Sequence, residues 1–261
     1  MRSALRPSNS TNRIEAIDSL RGFALFGILI VNAAFFALPI GDSLGTTFDM
    51  EPGVDRWTAL TIKLFAEMKF ISIFSLLFGV GLAMQRERAI TAGSSFLLFA
   101  YRRLAVLAIF GLFHALLLWY GDILFLYACM GAIVVLLLPF SPRILAIIGI
   151  CLCIVTCLMM ASFAFFSTFI TALETIPMDD GWSLRGLDAI QASEYNQQHP
   201  IWKSAEIVAY GKGPFLDAFA FRSVTWGFYL AISLFTLCGY TAAMFCFGAA
   251  LWKSGFVNGE G

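Results

Sequence analysis

"GLFHALLLWYGDILFLYACMG", residues 111–131, is nearly all hydrocarbon, yet it holds His114 and Asp122. A bilayer's hydrocarbon core is about 30 Å thick and takes about 20 helical residues to cross. The stretch therefore reads as the end of one membrane span and the start of the next, joined by a tight turn at "YGD". Ionisable groups are costly in lipid and mark sites of function by default. What the histidine and aspartate do there is the central question of the sequence.

The same apolar character runs outward in both directions. Six segments stand out, roughly 22–40, 62–84, 104–120, 122–140, 143–168 and 224–251. None alternates polar with apolar residues as a barrel strand does, so they are helices. The chain is 59% hydrophobic and only 13% charged, whereas soluble domains carry about 25% charge. The expected fold is all-α: a polytopic transmembrane helix bundle of about six spans, one domain over 1–261, with the lipid bilayer as its partner. No basic Lys/Arg block with interleaved aromatics appears, so no nucleic-acid partner is expected, and the zero net charge does not bear on it. The six cysteines lie inside apolar stretches without zinc spacing, so they read as packing residues and no metal is expected. About twenty mostly polar residues precede the first apolar run, which argues against a cleaved signal peptide.

Loop charge sets the orientation. Arg2, Arg6, Arg13, Arg21, Arg86, Arg88, Arg102, Arg103, Arg143 and Lys253 fall on one side, ten basic residues in short loops. The other side has five, spread over longer sequence, with twelve acids. The positive-inside rule then puts both termini in the cytoplasm. The long loop 169–222 faces outward and is expected to form short helices over the bundle, with Trp182, Trp202 and Tyr210 as interfacial anchors.

Depth sorts the polar residues. Asn32 lies seven residues before Pro39, about 10 Å below the outer boundary, and His114 lies six before Tyr120, about 9 Å below it. The clean apolar part of the second span, 70–84, covers only about 22 Å, so Glu67 and Lys69 are drawn beneath the same interface. Asp122 opens the fourth span there. Asn32, Glu67, Lys69, His114 and Asp122 thus share the outer half of the bilayer. His114 is the candidate base, with Asp122 or Glu67 to orient it, and Asn32 and Lys69 are candidate substrate contacts. Structural roles stand beside these: Asp122 as a helix cap, Asn32 as a helix–helix hydrogen bond, Lys63 pairing with Glu67. At the cytoplasmic edge, Asp18 and Arg21 are spaced to pair, and Arg86, Arg88, Arg102 and Arg103 suit phosphate groups or simply anionic lipid.

Three stretches in order, "RIEAIDSLRGFALFGILIVNAAFFALP", "KFISIFSLLFGVGLAMQRERA" and "FGLFHALLLWYGDILFLYACMG", resemble the YeiB-like bacterial inner-membrane proteins, as does "AYGKGPFLDAFAFR". The resemblance covers most of the chain. That family is uncharacterised and is similar to transmembrane acyltransferases of the heparan-glucosaminide acetyltransferase type, which move an acyl group from cytoplasmic acyl-CoA to a sugar across the membrane. It implies location in the bacterial inner membrane, acyl-CoA as donor substrate with no bound cofactor, and an envelope sugar or lipid as acceptor. On that reading His114, Asp122 and Glu67 are catalytic, while Asn32, Lys69, Arg21, Arg102 and Arg103 bind substrate. The acetyltransferases' histidine follows their first span, where "IGDSLGTTFDMEPGVDRW" here has none. YeiB-like proteins also continue into a C-terminal half not expected in this chain. A transporter or permease of a small solute, or a non-catalytic scaffold, stay open as alternatives, as does the oligomeric state.

Overall fold

The computed structural model describes residues 15–43, 51–173 and 199–257. Every regular element among the described residues is helical. Helix α1 (Glu15–Ala37) is followed by the short turn α2 (Ile40–Ser43). Next come α3 (Val54–Phe65) and α4 (Lys69–Thr91). Helix α5 (Phe96–Phe113) ends in a π-turn, His114–Leu118. Helices α6 (Leu124–Leu137) and α7 (Pro142–Leu173) follow. The last three are α8 (Pro200–Gly211), α9 (Phe215–Thr236) and α10 (Cys238–Lys253). Five helical stretches are long and apolar enough to cross a membrane: Ile17–Ala37, Val54–Thr91, Phe96–Leu118, Pro142–Phe166 and Phe215–Thr236. The apolar Leu124–Leu137 is shorter. Phe23, Phe26, Phe110, Ile147 and Leu158 lie on their exposed faces. Large apolar surface of this extent suits lipid as the outer solvent.

Two spans depart from the sequence expectation. The expected span 62–84 is broken at 66–68, where Met68 takes a left-handed backbone (φ 63°) between α3 and α4. The break falls at Ala66-Glu67-Met68, just before Lys69 and the cleanly apolar part of the span. The expected span 224–251 is two helices. Helix α9 starts nine residues earlier, at Phe215, and gives way to α10 at Leu237. No proline or charge marks that break. Instead, Tyr240 bonds Ser72 at 2.6 Å and Gly239 sits against Thr156, which seats the start of α10 between α4 and α7.

Helix α10 is the centre of the bundle. It packs along α4 and α7 and also touches α6. Leu82, Leu104, Tyr127, Leu138, Leu145, Phe245 and Cys246 form the core around it. The α4–α10 crossing is a backbone contact. A Cβ on Gly79 would lie 2.1 Å from the Phe245 carbonyl oxygen, and one on Gly248 would lie 2.0 Å from that of Leu76. Lipid supplies no hydrophobic drive between helices, so close packing of small residues must supply the attraction. Beside it Ser75 joins α4 to α6, donating to Ile71 O of its own helix at 2.7 Å and meeting the Tyr127 hydroxyl of α6 at 2.5 Å. The "SLLFG" run therefore reads as an interface motif.

Ile17 packs with Leu77, Val80, Trp252 and Val257, so the first and last described helices meet at one end of the bundle. This is the arginine-rich end. Over the other end lies α8, whose Trp202 packs on Phe221 at 5.3 Å. Trp202 is 0% exposed, so it plugs the bundle's end instead of anchoring at a lipid interface as its sequence position suggested. Tyr210 stays partly exposed beneath the Arg222 guanidinium, 5.8 Å from the ring centre. Trp182 lies outside the described residues.

Overpacking a tight core costs roughly 1–3 kcal/mol. Gly79→Ala and Gly248→Ala are each expected to lose at least that much, read as a lower melting temperature in detergent. Gly22→Ala, with open space around its Cβ, is expected to melt within about 0.5 kcal/mol of the parent.

Candidate functional site

His114 opens the π-turn at the end of α5. Its carbonyl accepts from Trp119 N–H at 2.8 Å, five residues on. The wide turn ends the helix and turns Trp119 to extended backbone (φ −156°, ψ 129°). Such turns occur frequently at functional sites. The chain then reverses, and Asp122 meets the first turn of α6. Asp122 Oδ2 accepts Phe125 N–H at 2.8 Å, while Oδ1 lies 3.0 Å from His114 Nδ1. The cap and the histidine contact expected as alternatives are both made, one by each oxygen.

Gly111 makes the geometry possible. A Cβ there would lie 2.3 Å from Phe125 N and 2.9 Å from Asp122 Oδ2. Without one, α6 starts hard against α5, one turn before His114. That contact and the π-turn absorb the helix-turn offset that eight residues of separation imply. The Asp122 side chain is 0% exposed and that of His114 is 34% exposed. In the tautomer that donates from Nδ1 to this carboxyl oxygen, the Nε2 lone pair is left to act as acceptor or base. Trp119 stands edge-on to the imidazole at 6.3 Å, and Phe36 of α1 backs Trp119 at 4.8 Å.

The other expected partners do not join this pair. Gly27 faces Phe70, and Tyr127 faces Ser75 and Ile71. Helical rise then puts Asn32 and Asp122 within about one turn of the α3–α4 break in depth. Similar depth does not bring them together: among the described residues no hydrogen bond or ion pair joins Asn32, Glu67 or Lys69 to His114 or Asp122. Glu67 and Lys69 are exposed at the break, and Lys69 Nζ donates to Lys63 O at 3.2 Å. Asn32 is half-buried on α1, and no hydrogen bond links it to His114 among the described residues. Arg21 belongs to the opposite end, where it bonds Asp18 at 3.2 Å and Leu77 O at 3.3 Å. Arg102 and Arg103 are exposed on α5, with Arg103 over Phe99 at 5.6 Å. Among the described residues, no group of three or more His, Cys, Asp or Glu gathers for a metal.

A second polar group lies in the α8 cap, which sequence reading passed over. Glu206 is 4% exposed, and both its oxygens accept Ile40 N–H, at 3.2 and 3.3 Å. Burial is the main reason its pKa rises to about 7, with the nearby Asp42 charge adding to it. Asp42 itself pairs with Lys203 at 2.7 Å. Tyr120 OH, Trp202 Nε1 and Arg222 Nη2 are buried without a well-formed hydrogen bond among the described residues. Arg222, on α9, donates from Nε to Leu116 O at 3.1 Å, inside the π-turn, while its guanidinium lies over Tyr210 of α8. The available signal was a charge within the buried stripe Ile201, Trp202, Ala205, Glu206, Ala209 of an amphipathic helix.

The chain is 40% identical over 152 residues to the uncharacterised protein YxaH of Bacillus subtilis, covering 56% of this chain and 37% of that one. It is 35% identical over 133 residues to the uncharacterised protein YeiB of Escherichia coli, 51% of this chain and 33% of that one. An uncharacterised 39.9 kDa protein from the amylase 3' region of Bacillus acidopullulyticus is 39% identical over 131 residues, 49% and 34% of the two chains. Over about half of its own length the chain is therefore similar to these uncharacterised proteins. The match spans about a third of the length of each of these curated relatives. No family model and no solved structure matches the chain.

Two outcomes follow from the geometry. Asp122→Ala leaves Phe125 N–H and His114 without their acceptor, and is expected to lower stability by about 1–3 kcal/mol. Asp122→Asn keeps the cap acceptor and is expected to lose less, both measured by thermal melting in detergent. Glu206 holds its proton more tightly folded than unfolded, so the native state is favoured in acid. Stability is expected to fall by up to about 3 kcal/mol as pH rises from 4.5 to about 7, and to level off above. In Glu206→Gln that part of the pH slope is expected to vanish in melts recorded from pH 5 to 8.

Proposed function

We propose that this YeiB-like membrane protein is an acyltransferase in which His114 is the general base. The observation that carries the reading is the 3.0 Å contact of His114 Nδ1 with Asp122 Oδ1. Nε2 takes the proton of an acceptor hydroxyl as its oxygen attacks the thioester carbonyl of an acyl-CoA donor whose acyl end reaches into the bundle from the cytoplasmic side. A carbon–oxygen bond forms, the carbon–sulfur bond breaks, and His114 returns the proton to the departing thiolate. Asp122 holds the imidazole tautomer and offsets the imidazolium charge as it develops.

The fixed geometry favours this over a transport role. A proton relay in a transporter needs a carboxylate that exchanges partners between two states. Asp122 is buried, with one oxygen capping α6 and the other on His114. Trp119 and Phe36 offer an aromatic wall on which a sugar or lipid acceptor can rest. By the positive-inside rule the arginine-rich end faces the cytoplasm of a bacterial inner membrane and His114 lies toward the outer face.

General-base catalysis is worth about 10²–10⁴ in rate. His114→Ala is expected to lower transfer of labelled acetyl from acetyl-CoA to envelope sugar or lipid by that factor, with the protein still folded. Asp122→Asn is expected to lower it too, by supplying the wrong hydrogen-bond partner for the tautomer. Equal transfer by parent and His114→Ala in membranes from the same host overturns the proposal.

A further inference from the structure

The arginine-rich end, far from His114, holds a cavity of about 290 Å³ that the chemistry above does not use. Its walls are the last turns of α4, the end of α6 and the turn after α10, with Arg86, Glu87, Leu138, Trp252 and Lys253 among them. The volume is near the lower end of small-molecule pockets, which span about 300–1,000 Å³.

Its charged side chains are unequally satisfied. Lys253 Nζ donates to Leu138 O at 3.0 Å and to Phe140 O, which pins the ammonium at the C-terminal carbonyls of α6. Glu87 is taken up by Trp252 Nε1–H at 2.6 Å, and this bond also locks the indole as a wall. Arg86 is half-buried, and no hydrogen bond or ion pair to it forms among the described residues. Arg86 and Lys253 thus bring two positive charges to one small cavity and Glu87 one negative, so the lining keeps a net positive charge, with one Glu87 oxygen taken by the indole N–H. An anion relieves the repulsion between the cations and fills the open donors of Arg86. A guanidinium fork matches phosphate oxygens in pairs, and a lysine adds a point charge. Ala83, Ile90, Leu138 and the Trp252 ring supply an apolar side for whatever the phosphate carries.

We propose that this cavity binds a phosphate-bearing anion, with its phosphate on Arg86 and Lys253 and its organic part against Trp252. The chemistry is shared by two sources, a phospholipid headgroup from the surrounding leaflet and a soluble phosphate or diphosphate compound. It does not depend on His114 acting as a base.

The test uses the full chain in nanodiscs. One arm titrates inorganic pyrophosphate by calorimetry into protein held in phosphatidylcholine. The other counts phosphatidylglycerol retained in native mass spectra from mixed-lipid discs. Arg86→Gln is expected to weaken binding by about tenfold or more, while Arg88→Gln, exposed and outside the cavity, binds as the parent does. Lys253 is left intact because its bonds close the end of α6. A response only to pyrophosphate assigns a soluble ligand, and one only to phosphatidylglycerol assigns a lipid. Binding of neither probe, or equal loss in Arg86→Gln and Arg88→Gln, overturns the proposal.

Discussion

A carboxylate with no exposure, among apolar helices, has to find partners for both oxygens or give up its charge. Asp122 meets that demand with one backbone N–H and one imidazole nitrogen. The demand propagates. It needs α6 to begin against α5, which needs Gly111 bare of a side chain. It also needs His114 brought over the start of α6, which the π-turn accomplishes. Local structure and candidate chemistry at this site therefore have one cause.

The bundle beneath is held by a different device. Helix α10 lies at the centre, and its backbone meets that of α4 at Gly79 and Gly248. Its own buried face is rich in alanine and glycine, including Ala242, Ala243, Gly248, Ala249 and Ala250. Small residues bring backbones together, and dispersion then replaces the hydrophobic drive that lipid cannot supply. The bulky residues go outward, where acyl chains solvate Phe23, Phe26 and Phe110. The scaffold places its two polar regions at opposite ends: the histidine–aspartate pair under the α8 cap, and the cationic cavity at the meeting of α4 and α10.

The candidate site was partly legible in the sequence. Helical rise assigned Asn32, Glu67, Lys69, His114 and Asp122 a similar depth, because depth is read from position along a helix. It could not locate them around the bundle axis, since that depends on how each helix is rotated against its neighbours. His114 and Asp122 meet, whereas Glu67 and Lys69 are at a helix break facing out. Glu206 escaped notice for the opposite reason. The loop that holds it is polar overall, and only the docking of α8 on Ile40, Tyr120 and Phe221 makes that carboxylate a buried one.

Apolar run length and the loss of charge determined, from the sequence alone, that this chain is a bundle of helices suited to a membrane. Those properties follow from the solvent and need no knowledge of neighbours. The sequence also carried the homology to YeiB and YxaH in its ordered motifs. Tertiary structure alone decided the breaks at Met68 and Leu237, the burial of Trp202 and Glu206, and the placing of Arg86 and Lys253 on the walls of one cavity. Each depends on which surfaces meet across long separations in the chain, and a hydropathy pattern is blind to that.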